Sequence, residues 1–478
     1  LKILNGKKLS LTLIGLSLIS LILTLILSIQ TTDPRSHLNL EQRIDFALQL
    51  AQNKLIKTIN TFEQSSLVGI KYPSYTSKNS SFSLNFWKKR PPSGIWLPDK
   101  AKFWSSGAFP ALLWQMSTLE TELGRKQFWW SYAKSWGEPL RKRSYEDVTI
   151  NNLLVFRPWL EFTRDEDEKK EQLETILQGA RTLAMPYDPL KNQGRFQVEL
   201  GVMGNKRKAD RTDNQVYWHV FTDHIINVEQ LLWAAQHNPN SIEAKDWQQK
   251  AIRHIKTVGQ TFGKNRKPGH TGTWQRGYFD DRPSSPTYRQ FLFNEGKQGW
   301  RDDTTWSRGQ AWIIYATSIA YKYSQDPSLR AIAFEAIDYY MNNLPDSFEG
   351  NKRTPHDFIP PWDFDYALEK NPNTERDSSA AAIAISGILK LIPTLPKNDP
   401  ARPIYLDLVK KTLYQLTSKD YLNDLQSSEM SILQKGCYHH PDAIQPSFEC
   451  DNGLIWGDYF FVDALLDYRR LMSSSEKD

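Results

Sequence analysis

Two aspartates sit where a carboxyl group could move a proton. Asp223 lies in Phe221-Thr222-Asp223-His224-Ile225-Ile226-Asn227 and Asp147 in Tyr145-Glu146-Asp147-Val148, each beside a stretch of helical periodicity. An aspartate at a helix start accepts backbone N–H bonds for purely structural reasons, so capping and catalysis both stay open on this ground alone. Asp223 has an additional feature. Asn227, four residues on, falls on the same helical face and can hydrogen-bond the carboxyl, with Leu231, Leu232 and Trp233 further along. A partly buried carboxyl held in this way has its pKa raised, as a proton donor near neutrality requires.

Arg308 stands in the first turn of a further helical stretch, in Trp306-Ser307-Arg308-Gly309-Gln310-Ala311-Trp312. A cation at the positive end of a helix dipole is mildly unfavourable, which points to an anion facing it, either a substrate carboxylate or the side chain of Asp302 or Asp303. The chain has 17 Trp and 20 Tyr. Several Trp stand at helix starts or in long loops (104, 218, 274, 300, 306 and 362), where aromatic faces suit the apolar faces of sugar rings, although most Trp in a chain this size fill the core. Pro361-Trp362-Asp363-Phe364-Asp365 and Arg376-Asp377-Ser378-Ser379 read as loops leading into Asp- or Ser-capped helices. Lys206-Arg207-Lys208 and Arg211 could reach an acidic group but read first as a solvated run. Cys437 and Cys450 could close a short loop in an oxidising compartment; a metal site with His439 and His440 lacks the second pair that zinc spacing requires.

The elements that must position these groups are mostly helical. Apolar residues three and four apart mark twelve segments, near 41–61, 107–122, 125–139, 149–162, 169–184, 223–236, 243–261, 306–323, 327–344, 378–393, 401–417 and 456–471. Short connections such as Asp326-Pro327 make antiparallel hairpins of them, six in all, and six hairpins close into a toroid. No fixed repeat period supports an open solenoid instead. Long loops at 185–218, 262–305, 344–376 and 418–453 wall a funnel at one end, and the second carries a small β-hairpin from 271–280 and 288–293. The expectation is an all-α, six-hairpin (α/α)6 barrel over residues 101–478, with a linker and first helix over 31–100.

Residues 1–30 are different in kind. Lys2, Lys7 and Lys8 precede an uncharged Leu- and Ile-rich run over 9–29, about 31 Å long as a helix and enough to cross a bilayer. Leading lysines favour an N-in orientation, so the chain is expected to act outside the cytoplasm, in the periplasm or beyond, anchored to the membrane through residues 9–29 wherever that segment is retained. The balance of 60 basic against 54 acidic residues, a net +6, is too slight an excess to point to nucleic acid.

Taken together, the stretches 306–312, 361–365 and 376–382 and Ile455-Trp456-Gly457-Asp458-Tyr459 resemble the unsaturated glucuronyl hydrolases, glycoside hydrolase family 88, in order and spacing. A weaker similarity reaches back to Trp104-Ser105-Ser106-Gly107. The family fold is a six-hairpin barrel. The resemblance implies removal of the unsaturated uronic acid that lyases leave at the non-reducing end of an oligosaccharide, by hydration of its C4–C5 double bond, without metal or organic cofactor. On it, Asp223 matches the catalytic acid/base and Asp147 the second aspartate, while Trp104, Gln298, Trp306 and Arg308 match substrate-site positions. Two positions depart: Glu146-Asp147-Val148-Thr149 where the family has His-Asp-x-Gly, and Gln275 where a substrate-contacting His is usual, so Gln275 hydrogen-bonds but carries no charge. A conventional inverting glycosidase on the same barrel, and a carbohydrate-binding homologue without activity, are the alternatives.

Overall fold

The protein is described by a computed structural model, which covers Arg35 and residues 37–77, 93–146, 149–190, 200–203, 205–208, 215–264, 272–349, 352–355, 357–440 and 450–475. The apolar run 9–29, Asp147 and Arg211 lie outside the described residues. Among the described residues no helix is long and apolar enough to cross a membrane.

Among the described residues twelve long helices follow one another: α1 (Leu40–Gln64), α2 (Ala108–Thr118), α3 (Leu123–Gly137), α4 (Asn151–Phe162), α5 (Glu166–Ala184), α6 (Val228–His237), α7 (Ser241–Lys264), α8 (Ser307–Ser324), α9 (Pro327–Asn342), α10 (Ser378–Leu391), α11 (Ala401–Leu416) and α12 (Ile455–Ser475). Local chemistry sets several starts. Asn39 and Gln42 form a reciprocal capping box on α1, Asp165 caps α5, and Asp326 caps α9 with Pro327 in the first turn. Burial then sorts the helices into two rings. In α8, 15 of 18 residues are buried, and in α10 13 of 14, so these are covered on all sides; α9 buries one stripe, Leu329, Ile332, Ala333, Ala336, Ile337 and Tyr340 among it, at the three-and-four spacing of a helix with one wet face.

The pairing starts one helix later than a count from the N-terminus suggests. Each inner helix is followed by its outer partner, α2 by α3, α4 by α5, and so on to α10 and α11. Inner α12 packs between α10 and α2, closing the ring, and α1 from the other end of the chain lies against α11 and α12 as the sixth outer helix. The ring is the expected α/α barrel.

The β content exceeds the expected hairpin. Three two-stranded ribbons form: β1 (Tyr72–Thr76) with β2 (Trp96–Asp99), β3 (Tyr187–Leu190) with β4 (Leu200–Met203), and β9 (Asp346–Glu349) with β10 (Lys352–Pro355). The hairpin of β7 (Arg276–Phe279) and β8 (Phe291–Glu295) is there, but β6 (Val216–Phe221) and β5 (Asn205–Lys208) extend it into a four-stranded antiparallel sheet. The loop 185–218 thus supplies strands through pairing with a distant loop, which local sequence does not encode. One row of this sheet aligns Phe221, Arg276 and Glu295.

Candidate active site

A cavity of about 300 Å³ opens where inner helices α2, α4 and α6 begin. Its wall is built from separate elements: Trp104 just ahead of α2, Ile150 at the cap of α4, Asp223 and Asn227 ahead of α6, Arg276 on β7, Gln298 in the loop to α8, and Tyr438 with His439 in the loop ahead of α12. The residues are far apart in sequence, and the barrel brings them together.

Asp223 does not sit on the α-helix expected over 223–236. Residues Thr222–Asn227 form a 3-10 helix that hands over to α6 at Val228. With three residues per turn, Ile226 and not Asn227 lies beneath Asp223, and the carboxylate Oδ1 accepts instead from the Trp312 indole N–H of α8 at 3.2 Å. Asn227 is buried and lines the same cavity. Asp223 Oδ2 is shut off from solvent with no hydrogen-bond partner among the described residues. Burial raises the Asp223 pKa to about 6 against the opposing fields of Arg308 and Arg276 and the Trp312 bond. A carboxyl so placed keeps its proton to a higher pH than a free aspartate does and has an oxygen facing no other donor among the described residues, which is the arrangement general acid catalysis needs.

The expected substrate contacts separate into those that reach the cavity and those that stand behind it. Trp104 lines it, packed on Trp456 with ring centroids 4.7 Å apart. Gln298 also lines it, with its amide Nε2 on the Tyr438 carbonyl at 3.3 Å. Gln275 stands behind: its Nε2 donates to Gln298 Oε1 at 2.6 Å, its Oε1 accepts from the backbone N–H groups of Lys297 and Gln298, and its carbonyl accepts from Thr222 N–H at 2.9 Å. Its polar groups are spent on fixing Gln298 and the turn that carries Asp223, so it positions rather than touches.

Arg308 and Trp306 also differ from expectation. Among the described residues the counterion of Arg308 is neither Asp302 nor Asp303 but Asp377. The Arg308 Nη1 meets Asp377 Oδ2 at 2.7 Å with both side chains almost fully buried and donates to the Cys437 carbonyl, while its Nη2 donates to that of Tyr438 at 2.8 Å. Trp306 is buried beneath it, the guanidinium 4.4 Å from the ring centroid. The pair ties α8 and α10 to the loop that supplies Tyr438 and His439. Asp303 pairs with Arg301, and Asp302 accepts the Gly296 N–H.

The other motif carboxylates also fasten loops. Asp363 accepts from Trp300 N–H and Thr304 on one oxygen and from Asp365 and Tyr366 N–H on the other, and burial lifts its pKa to about 6. Asp458 accepts from Ile432 and Leu433 N–H, 2.8 Å each. Trp362 is buried, Trp274 stacks on Phe291, and Trp300 carries Arg301, so most loop tryptophans are packing. Lys206 pairs with Asp281 on the outer strand of the sheet, away from the cavity wall. Cys437 and Cys450 are joined, and His440 pairs with Glu375 at 3.0 Å over the Trp362 ring.

Arg276, Tyr438, His439 and His224 also line the wall, and the sequence reading gave none of them a substrate role. Burial, aided by Arg276, takes His224 down to about 4; burial, aided by Arg308 and Arg276, takes His439 to about 3. Both are therefore neutral near pH 7. Arg276 had a signal: it directly follows Gln275 within the hairpin already read as lying in the funnel.

No family model matches the chain. It is 27% identical over 301 residues to an unsaturated chondroitin disaccharide hydrolase of Streptococcus pyogenes, covering 62% of this chain and 64% of the relative. It is 28% identical over 276 residues to the unsaturated glucuronyl hydrolase of Bacillus sp. GL1, covering 58% and 65%, and 27% identical over 368 residues to that of Formosa agariphila, covering 76% and 80%. The chain thus spans just under two thirds of the first two relatives. Among solved structures it superposes on a heparin-specific unsaturated glucuronyl hydrolase with TM-score 0.68 at 21% identity, over 90% of this chain and 98% of the other. The Bacillus sp. GL1 enzyme gives TM-score 0.68 at 20% identity, over 90% and 97%. In sequence the chain is similar to the unsaturated glucuronyl hydrolases, and it shares their barrel fold.

Proposed function

We propose that this protein hydrates the C4–C5 double bond of a terminal unsaturated uronic acid and so releases that sugar from lyase-generated oligosaccharides. The observation that carries this reading is Asp223: a desolvated carboxyl with pKa about 6 and one unpartnered oxygen, on the wall of a sugar-sized cavity beside Trp104. Its proton goes to C4, the positive charge at C5 is shared with the ring oxygen, and water adds at C5 while returning a proton to Asp223. The hemiketal opens to a C5 ketone, and the hemiacetal left at C1 expels the remaining saccharide. Asp147, on the family resemblance, is the second carboxylate that tunes this transfer.

The test follows the alkene absorbance near 230 nm while residues 31–478 act on lyase digests of several uronic-acid polysaccharides. Loss of absorbance in one digest is expected, with Asp223→Asn reducing the rate by about 10²–10⁴-fold and binding little changed. Cleavage of saturated oligosaccharides alone would establish the conventional glycosidase, and binding without turnover the inactive homologue.

The reading also places the protein outside the cytoplasm. The apolar run 9–29 behind its lysines supports export, as does the Cys437–Cys450 bridge, which persists in oxidising compartments.

A further inference from the structure

The function proposed above requires an acidic sugar, and the family resemblance lends that sugar to Arg308. The structure leads elsewhere. Arg308 is nearly inaccessible, bound to Asp377 and two carbonyls, and forms no part of the cavity wall. Of the groups on that wall among the described residues, His224 and His439 are held neutral, so the fixed positive charge is the guanidinium of Arg276.

The sheet that the long loops assemble is what places it there. Arg276 sits between Phe221 and Glu295 in one row of strands, its guanidinium 4.7 Å from the Phe221 ring centroid. Glu295 Oε2 lies 3.6 Å from its Nη1 and is itself held by the Tyr278 hydroxyl at 2.7 Å. That ion pair is longer than the about 2.7–2.9 Å of a close charge-assisted bond, and Glu295 holds the guanidinium on the cavity wall, where it can meet an oxyanion. The planar fork of Arg matches a carboxylate or sulfate with two parallel bonds.

We propose that Arg276 is the specificity-determining residue of this site, binding the anionic oxygen group of the sugar. This rests on the proposed hydrolase reading. The anion has two sources, the uronate carboxylate or a sulfate ester on the adjoining sugar, and paired substrates distinguish them.

The experiment compares wild type, Arg276→Gln and Arg276→Lys on an unsaturated disaccharide and its methyl ester, and on sulfated and unsulfated forms. Folding of each variant is checked by its melting temperature. Arg276→Gln is expected to raise KM about 10- to 100-fold more for the anionic member of one pair than for its neutral partner, while Arg276→Lys keeps part of the discrimination. Loss of discrimination in the ester pair assigns the carboxylate; in the sulfation pair, the sulfate. Equal effects on charged and neutral members, or no effect, overturn the proposal. If wild type turns over no unsaturated substrate, the hydrolase reading falls by itself. Arg276 is then judged by equilibrium binding of glucuronate against its methyl ester: selective binding lost in Arg276→Gln upholds the assignment, and unchanged or absent selectivity overturns it.

Discussion

Burial holds the Asp223 carboxyl above the ordinary aspartate range, and the groups around it oppose that shift. Arg308, Arg276 and the Trp312 N–H all favour the charged carboxylate, yet desolvation wins and leaves the pKa at about 6. Because the donor must carry its proton, the rate is expected to be flat below that pH and to fall about tenfold per unit above it, in a pH–kcat profile. Trp312→Phe removes a bond to the ionised form, so the Asp223 pKa rises and the falling limb moves to higher pH. A limb that stays in place or moves down would show that the indole does not govern this carboxyl. Arg308 has a different task at the same scale. Replacing it by Met strands the Asp377 carboxylate in the interior, with an expected loss of about 3–5 kcal/mol in urea unfolding. Unchanged stability would refute the structural role.

At the scale of elements, the site depends on helices that approach closely. Gly387 on α10 faces α8, where an added Cβ would stand 2.6 Å from Tyr315 Cα, a backbone atom that cannot swing away. Gly387→Ala is therefore expected to cost about 1–3 kcal/mol. Gly124→Ala on α3, with nothing within 4 Å, is the control and should be neutral or stabilising by up to about 1 kcal/mol; equal effects would remove the close-approach argument. The small residues Ala380, Ala381, Ala382 and Ala384 of the same helix are also fully buried. The motifs 361–365, 376–382 and 455–459 were legible as family marks because their aspartates fasten loops through backbone N–H groups. They announce the fold more than the reaction.

Across the whole molecule, the first and last described helices meet. α1 closes the ring beside α12, and Lys54 on α1 reaches the carbonyl of Glu429 at 2.6 Å in the loop 418–453. That loop also carries Tyr438 and His439 to the cavity and is clasped by the Cys437–Cys450 bridge. Converting both cysteines to Ser frees a loop whose closure stabilises by about 3 kcal/mol for some 15 residues. We expect a lower melting temperature and a raised KM with kcat less affected, because the bridge holds a binding wall and not the proton donor. A fall in kcat at constant KM would contradict that placement.

Local sequence carried the helical segments, the closed ring and the funnel end marked by long loops, and it singled out Asp223 as a candidate acid; the hairpin pairing it suggested was one helix out of step. Periodicity and caps are local properties that the barrel keeps. Tertiary structure alone decided which partners the chemistry meets. Asn227 lost its bond to Asp223 because the turn is 3-10, Gln275 became a brace for Gln298, Arg308 and Trp306 went to the interior, and Arg276 came to the wall on a sheet made from two distant loops. The reason is physical: a side chain's burial and counterion are set by residues far along the chain, brought near only when the ring closes and the loops pair.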